Sequence, residues 1–167
     1  YMESELFDDH DFYRELASTP GSTHVYISKI YCHHTSSRVM GLQIVYTAVF
    51  ASGMVQDYSA KEHFHSPWYH YVGDPDEEPQ TTVIEMSLNE HLEDVIIEED
   101  DDSMLFADSG SISRIIFRTN QRSVLCGKEI SSLGKQMIKF FPDDCQQHIV
   151  SFSGRVGFNG VLHSLCC

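Results

Sequence analysis

Histidines, carboxylates and aromatic rings supply most of the chemistry this sequence can offer. His63-x-His65 places two imidazoles on one side of an extended segment, with His70 close behind and His33-His34 elsewhere. Zinc or copper ligation is geometrically conceivable in that pattern. No cysteine or other fixed third ligand accompanies the pair, so Phe64 to Tyr71 is expected to be a partly buried cover or a contact surface, not a metal centre. The single tryptophan, Trp68, lies here beside Tyr69, and exposed aromatic clusters serve recognition. Packing onto the rest of the domain and contact with a partner through Trp68 and Tyr69 are the two readings of this stretch.

A second cluster is acidic. Glu98-Glu99-Asp100-Asp101-Asp102 is followed by Asp108, and residues 74 to 102 hold 13 of the 25 acidic side chains. Adjacent carboxylates repel unless they are solvated or bridged by a hard cation such as Ca²⁺. The spacing is not that of an EF-hand, so a solvated loop that docks a basic partner through Asp100, Asp101 and Asp102 is preferred to a calcium site.

For catalysis the sequence offers little. It holds no G-x-S-x-G, no P-loop and no H-E-x-x-H. Gly154-x-x-Gly157-x-x-Gly160 falls in a β context and does not read as a dinucleotide site. Cys145 and His148 follow the turn-like Pro142-Asp143-Asp144, whose acids raise a thiol's pKa instead of lowering it. No enzymatic activity, cofactor or bound metal is expected.

Charge narrows the partners further. Eleven Lys and Arg against 25 Asp and Glu give a formal charge of -14, the wrong sign for a phosphate-backbone or anionic-membrane binder. No apolar run approaches the about 18 residues of a membrane helix, so neither nucleic acid nor membrane insertion is expected. The five cysteines, Cys32, Cys126, Cys145, Cys166 and Cys167, are odd in number and irregularly spaced, which predicts free thiols. No N-x-[ST] sequon is present either, and both facts lean towards the cytosol. The start at Tyr1-Met2 and the stop at Cys166-Cys167 suggest a piece of a larger protein.

The elements that must position these residues form one domain at this length of 167 residues. Residues 1–22 read as an acidic N-terminal arm, in which Leu6, Phe7, Tyr13 and Leu16 can make one stripe of a short helix before the turn Ser18-Thr19-Pro20-Gly21-Ser22. From residue 23 to 167 the pattern is short apolar segments separated by turns, an all-β signature. Three hairpin-like units can be superposed: Ile27–Ile30 to Leu42–Tyr46, Leu92–Val95 to Ser113–Phe117, and Ile149–Phe152 to His163–Cys167. Each opens with two apolar residues three apart. Their unequal spacing implies an insertion at about 47–82, while Val124-Leu125 and Met137–Phe141 supply further strands. Three units sharing an axis give a three-sided structure instead of a two-layer sandwich.

Three stretches carry a family resemblance. They are Ile27-Ser28-Lys29-Ile30 with Gly41 to Tyr46, Ser113-Arg114-Ile115-Ile116-Phe117-Arg118-Thr119-Asn120, and His148-Ile149-Val150-Ser151-Phe152-Ser153-Gly154-Arg155-Val156-Gly157. In this order, over about residues 24 to 167, the chain resembles the jacalin-like lectin domain. That resemblance implies a β-prism of three four-stranded antiparallel sheets with a pseudo-threefold repeat, and a non-enzymatic carbohydrate-binding module. It also implies a G-x-x-x-D loop that grips a sugar through backbone amides and one carboxylate. The matching residues are Gly157-Phe158-Asn159-Gly160-Val161, so Val161 stands where the family has its Asp. Valine has no lone pair to accept a hydroxyl, whereas a charge-assisted acceptor contributes about 1.5–3 kcal/mol. Gly154, Arg155, Gly157, Phe158 and Asn159 remain the candidate glycan contacts, with Asn159 as a substitute acceptor and Phe158 as a stacking surface. The family's N-terminal glycine-rich loop has no counterpart in Ser18 to Thr23. Either a protein partner or a glycan is therefore expected as ligand, with the interaction domain slightly preferred.

Overall fold

The structure, a computed structural model, describes residues 5–59, 78–100, 111–129, 136–140, 149, 151–156 and 162–166, some of the strand residues by backbone alone. Among these are one helix and eleven strands. They run β1 (Glu5–Asp8), α1 (Asp9–Ala17), β2 (Ser22–His34), β3 (Val39–Phe50), β4 (Val55–Ser59), β5 (Gln80–Glu85), β6 (Leu92–Asp100), β7 (Ser111–Thr119), β8 (Ser123–Gly127), β9 (Gln136–Phe140), β10 (Ser153–Val156) and β11 (Leu162–Cys166).

The strands form three antiparallel sheets. The first has the order β4-β3-β2-β5 and the second β8-β7-β6-β9. These are the same Greek key: a central hairpin, the third strand beside the second and the fourth returning beside the first. The third sheet, β1-β10-β11, has its own hairpin in β10 and β11, and β1 occupies the flank of β10 that the fourth strand takes elsewhere. Three strands of it are seen among the described residues. Each sheet touches the other two, since β7 meets β3 and β11, and β11 also meets β3. This is the three-sided β-prism that the sequence predicts.

The apolar pairs three residues apart acquire a physical reason. In β2 the register shifts between Ile27 and Lys29, and in β6 between Leu92 and Asp94. A bulge adds one residue to a period-two strand, so side chains three apart point to the same face. Ile27 with Ile30 and Leu92 with Val95 are therefore all buried, and Ile149 with Phe152 matches them immediately before β10. The third unit's strand accordingly begins at Ser153, not at Ile149. Around these pairs close Cys32, Leu42, Ile44, Tyr46, Ile84, Ile97, Ile115 and Phe117, with the Phe117 and Phe152 rings edge to face at 6.4 Å.

The first 22 residues give two elements to the prism. Glu5 to Asp8 pair with Val156 to Ser153, so Leu6 and Phe7 lie on a strand and not on the helical stripe expected with Tyr13 and Leu16. Sheet pairing satisfies four residues' worth of backbone that a longer helix would have left at an open end. The helix then starts with Asp9 and Asp11 in its first turn and Arg14 in its last, charges that complement its dipole. Its carbonyls at Arg14 and Glu15 are capped by the Ser18 and Thr19 hydroxyls. Phe12, Tyr13 and Leu16 pack onto the core.

Within 47–82, read from the sequence as an insertion, β3 continues to Phe50, and β4 and β5 complete the first sheet. β4 escaped notice because it is a polar edge strand, exposed at Val55, Gln56, Asp57 and Ser59. The end of the prism near α1 is closed by a buried carboxylate. Glu90 accepts hydrogen bonds from the Ser87 backbone and hydroxyl, from Thr119 at 2.7 Å and from Arg122 Nε at 3.0 Å. Arg122 also donates to the Glu85 carbonyl, so one ion pair ties the turn after β5 to the turn after β7.

Candidate functional site

Strand polarity brings the three hairpin connections to one end of the molecule. At the other end, α1 sits where the first strands begin: Asp9 N donates to Phe152 O just before β10, and Tyr46, opposite Ile27 near the start of β2, donates through its hydroxyl to Asp9 Oδ2 at 3.3 Å. Ile149 N donates to Leu92 O at the start of β6. From there β2, β6 and β10 all run away from α1. The far end therefore carries Thr35 to Arg38 between β2 and β3, the end of β10 with the start of β11, and the end of β6 with the start of β7.

The expected glycan contacts divide there. Gly154 lies in β10 between Phe7 and Leu165, and Arg155 between Leu6 and Ser164, with a register shift between Arg155 and Val156. Only their backbone is described. Gly157, Phe158, Asn159 and Val161 lie outside the described residues. Of the partner candidates, Asp100 ends β6 opposite Ser111, whereas Asp101, Asp102, Trp68 and Tyr69 are outside. So are His63, His65, His70, Cys145 and His148. Thr19 to Gly21, weighed for a glycine-rich loop, lie at the α1 end.

His33 and His34 end β2, and the first sheet engages both. His33 Nδ1 is 2.9 Å from Thr81 Oγ1; burial, then the adjacent His34, hold its pKa below the ordinary value. His34 Nδ1 faces the Thr35 carbonyl at 3.0 Å and Nε2 faces Thr82 Oγ1 at 2.7 Å. A carbonyl only accepts, so Nδ1 carries a proton, and in the neutral ring Nε2 accepts from Thr82. No three metal-ligating side chains converge among the described residues.

Sequence reading missed two features of this end. The first is a disulfide: Cys32 and Cys126, expected as free thiols, are bonded, with their Cα atoms 6.6 Å apart and a sequence separation of 94. Inward-facing positions on β2 and β8 bring together two cysteines whose spacing carries no disulfide signature. The second is a cavity of about 560 Å³ at the seam of the first and second sheets, lined by His34, Thr35, Ser36, Gln80, Thr82, Leu125, Gly127, Lys128 and Glu129. Gly127, at φ +98°, turns the chain into that wall, and a Cβ there would collide with the Ser113 carbonyl. Lys128 N donates to the same carbonyl, and Arg114 Nη1 holds the carbonyl of Glu129.

Neither a protein-family model nor a curated protein sequence matches the chain. Solved structures do. A mannose-specific jacalin-related lectin from Morus nigra, in complex with mannose, aligns at a TM-score of 0.58 and 20% identity over 98% of this chain and 84% of that one. The chain has the jacalin-like lectin fold. A jacalin-related lectin from Ananas comosus, described as mannose-binding, aligns at 0.59 and 18% identity, and artocarpin with mannopentose at 0.61 and 18%, each over 98% of this chain and 87% of the other. This jacalin-like chain keeps the architecture at an identity too low to carry the residues of a site with it.

Proposed function

We propose that this jacalin-like domain is a non-enzymatic binding module that works as a protein-interaction domain, with a degenerate carbohydrate loop. The observation that carries the reading is Val161, immediately before β11, where the family resemblance implies the sugar-gripping Asp. Removing a charge-assisted acceptor of about 1.5–3 kcal/mol lowers affinity by roughly 10- to 150-fold, enough to lose a weak monosaccharide complex. Asp100 ends β6 at the same end of the prism, and the acidic sequence it opens with Asp101 and Asp102 suits a basic protein segment.

A second reading, a working lectin that contacts sugar through Gly154, Arg155, Gly157, Phe158 and Asn159, is favoured by the likeness to mannose-bound lectins. Residue-resolved NMR titration of the whole chain separates the two. Under the interaction reading mannose leaves the amides of 154–162 in place, and Val161→Asp makes them respond. A Lys- and Arg-rich peptide binds, and its affinity drops at high salt and on joint Asp100→Asn, Asp101→Asn and Asp102→Asn substitution. Mannose shifts at 154–162 in the unaltered chain, abolished by Phe158→Ala with Asn159→Ala, establish the lectin instead.

A further inference from the structure

The Cys32–Cys126 bond joins two strands that are held very unequally. β2 is an inner strand, and Cys32 stands between Leu42 of β3 and Thr82 of β5. β8 is an edge strand, paired with β7 alone among the described residues, and Cys126 belongs to the pair next to its end, opposite Ile115. Hydrogen bonds just beyond that end run back to the second sheet, from Lys128 N to the Ser113 carbonyl and from Arg114 Nη1 to that of Glu129. Across the seam, Gly127 packs closely on Val39 and the disulfide supplies a covalent link. The end of a short edge strand opens locally far more readily than the whole domain unfolds.

Both cysteines are 0% exposed, so a reagent needs a way in. The cavity at the seam provides one. Its lining includes Thr82, the register partner of Cys32, together with Leu125 and Gly127, the two neighbours of Cys126. It therefore reaches the strands directly beside both sulfurs. Its volume of about 560 Å³ lies in the range that admits small molecules, about 300–1,000 Å³. Fraying of the end of β8 lifts one wall of the cavity and uncovers Cys126.

We infer that the Cys32–Cys126 bond is a reversible thiol–disulfide switch on the seam, reached through this cavity by a small dithiol. The dithiol's thiolate attacks Cys126 Sγ, the bond to Cys32 breaks, and its electron pair leaves on Cys32, which takes up a proton. The second thiol of the dithiol then loses its proton and closes on the first sulfur, expelling Cys126 as a thiolate that is protonated in turn. The dithiol ends as a cyclic disulfide, and each electron and proton it loses is matched by one gained at the two cysteines. Reduction releases β8 from the first sheet and frees the wall formed by residues 125–129. The inference is independent of whether the domain binds a protein or a glycan.

Incubation of the folded, oxidised chain with dithiothreitol, followed by alkylation, peptide mapping and amide hydrogen exchange, tests it. Labelling of Cys32 and Cys126 should change less than about twofold in rate between no urea and about 1 M, because local opening exposes little surface, whereas global unfolding would gain about tenfold or more. Reduction should speed exchange at amides 124–128 by about tenfold or more while those of 44–46 and 95–97 keep their protection. Oxidised glutathione should restore both the bond and the slow exchange. Gln80 is exposed and lines the cavity, so Gln80→Trp should narrow the entrance and slow labelling several-fold. Absence of labelling, or labelling that accelerates in step with global unfolding, would reduce the bond to a passive staple. Unchanged exchange at 124–128, loss of protection throughout the chain, or an unaltered rate in Gln80→Trp would each overturn the switch as well.

Discussion

The backbone N–H of Ile149 donates to the carbonyl of Leu92 at 2.9 Å, so the residues that open the second and third units are bonded directly to each other. Equivalent residues thus meet at the α1 end, and the bulges that follow Ile27 and Leu92 seat each unit's second apolar residue in one shared core.

The disulfide gives the most direct check. Alkylation of the unfolded chain before reduction should leave Cys32 and Cys126 unlabelled in a peptide map, and joint Cys32→Ala and Cys126→Ala substitution should cost about 2–5 kcal/mol in chemical unfolding. Labelling of both without reductant would refute the bond.

Glu90 should make stability depend on acid pH. Burial pushes its carboxyl upward, but the bonds from Ser87, Thr119 and Arg122 outweigh burial and hold its pKa at about 2, below the ordinary 4.5. A group depressed in the folded state stabilises fully above its unfolded pKa, and that contribution drains away as pH falls from about 4.5 towards 2. Urea midpoints measured over this window should fall more steeply for the unaltered chain than for Glu90→Gln, which should itself lose about 1–3 kcal/mol at neutral pH.

Two glycines with positive φ should respond unequally to alanine. Gly53, at φ +86° with nothing within 4 Å of an added Cβ, should lose only the left-handed preference, about 1 kcal/mol. Gly127→Ala adds a collision with the backbone at Ser113 and should cost about 3 kcal/mol or more. Equal losses would show that the wall after β8 can yield.

Tyr46 anchors the helix. Its ring packs against Phe12 and Tyr13 at 5.6 and 6.3 Å and its hydroxyl bonds Asp9. Tyr46→Phe should cost about 1 kcal/mol through the lost bond alone, whereas Tyr46→Ala should cost about 3–5 kcal/mol and speed hydrogen exchange in α1.

Much of the prism was legible because a bulge writes itself into sequence as two apolar residues three apart, as in Ile27 and Ile30. The Val124-Leu125 and Met137–Phe141 segments read correctly because both strands are apolar at their centres. β4 did not, since Val-Gln-Asp-Tyr-Ser on an edge has no buried face to pattern. Leu6 and Phe7 looked helical because the strand that pairs with them lies some 150 positions away, beyond any local signal. The site was less legible than the fold. A covalent contact between Cys32 and Cys126, and a cavity assembled from three strand ends, are relations between distant residues that no spacing encodes.

The placement of β1 has a consequence for synthesis. Glu5 pairs with Val156, so β1 must wait for a hairpin made about 150 residues after it. Both Greek keys can close while the chain is still being extended, but the third side of the prism cannot. During that interval one flank of the shared core lacks its cover, and a nascent chain stalled before residue 156 would expose apolar surface to chaperones until β1 and β10 meet.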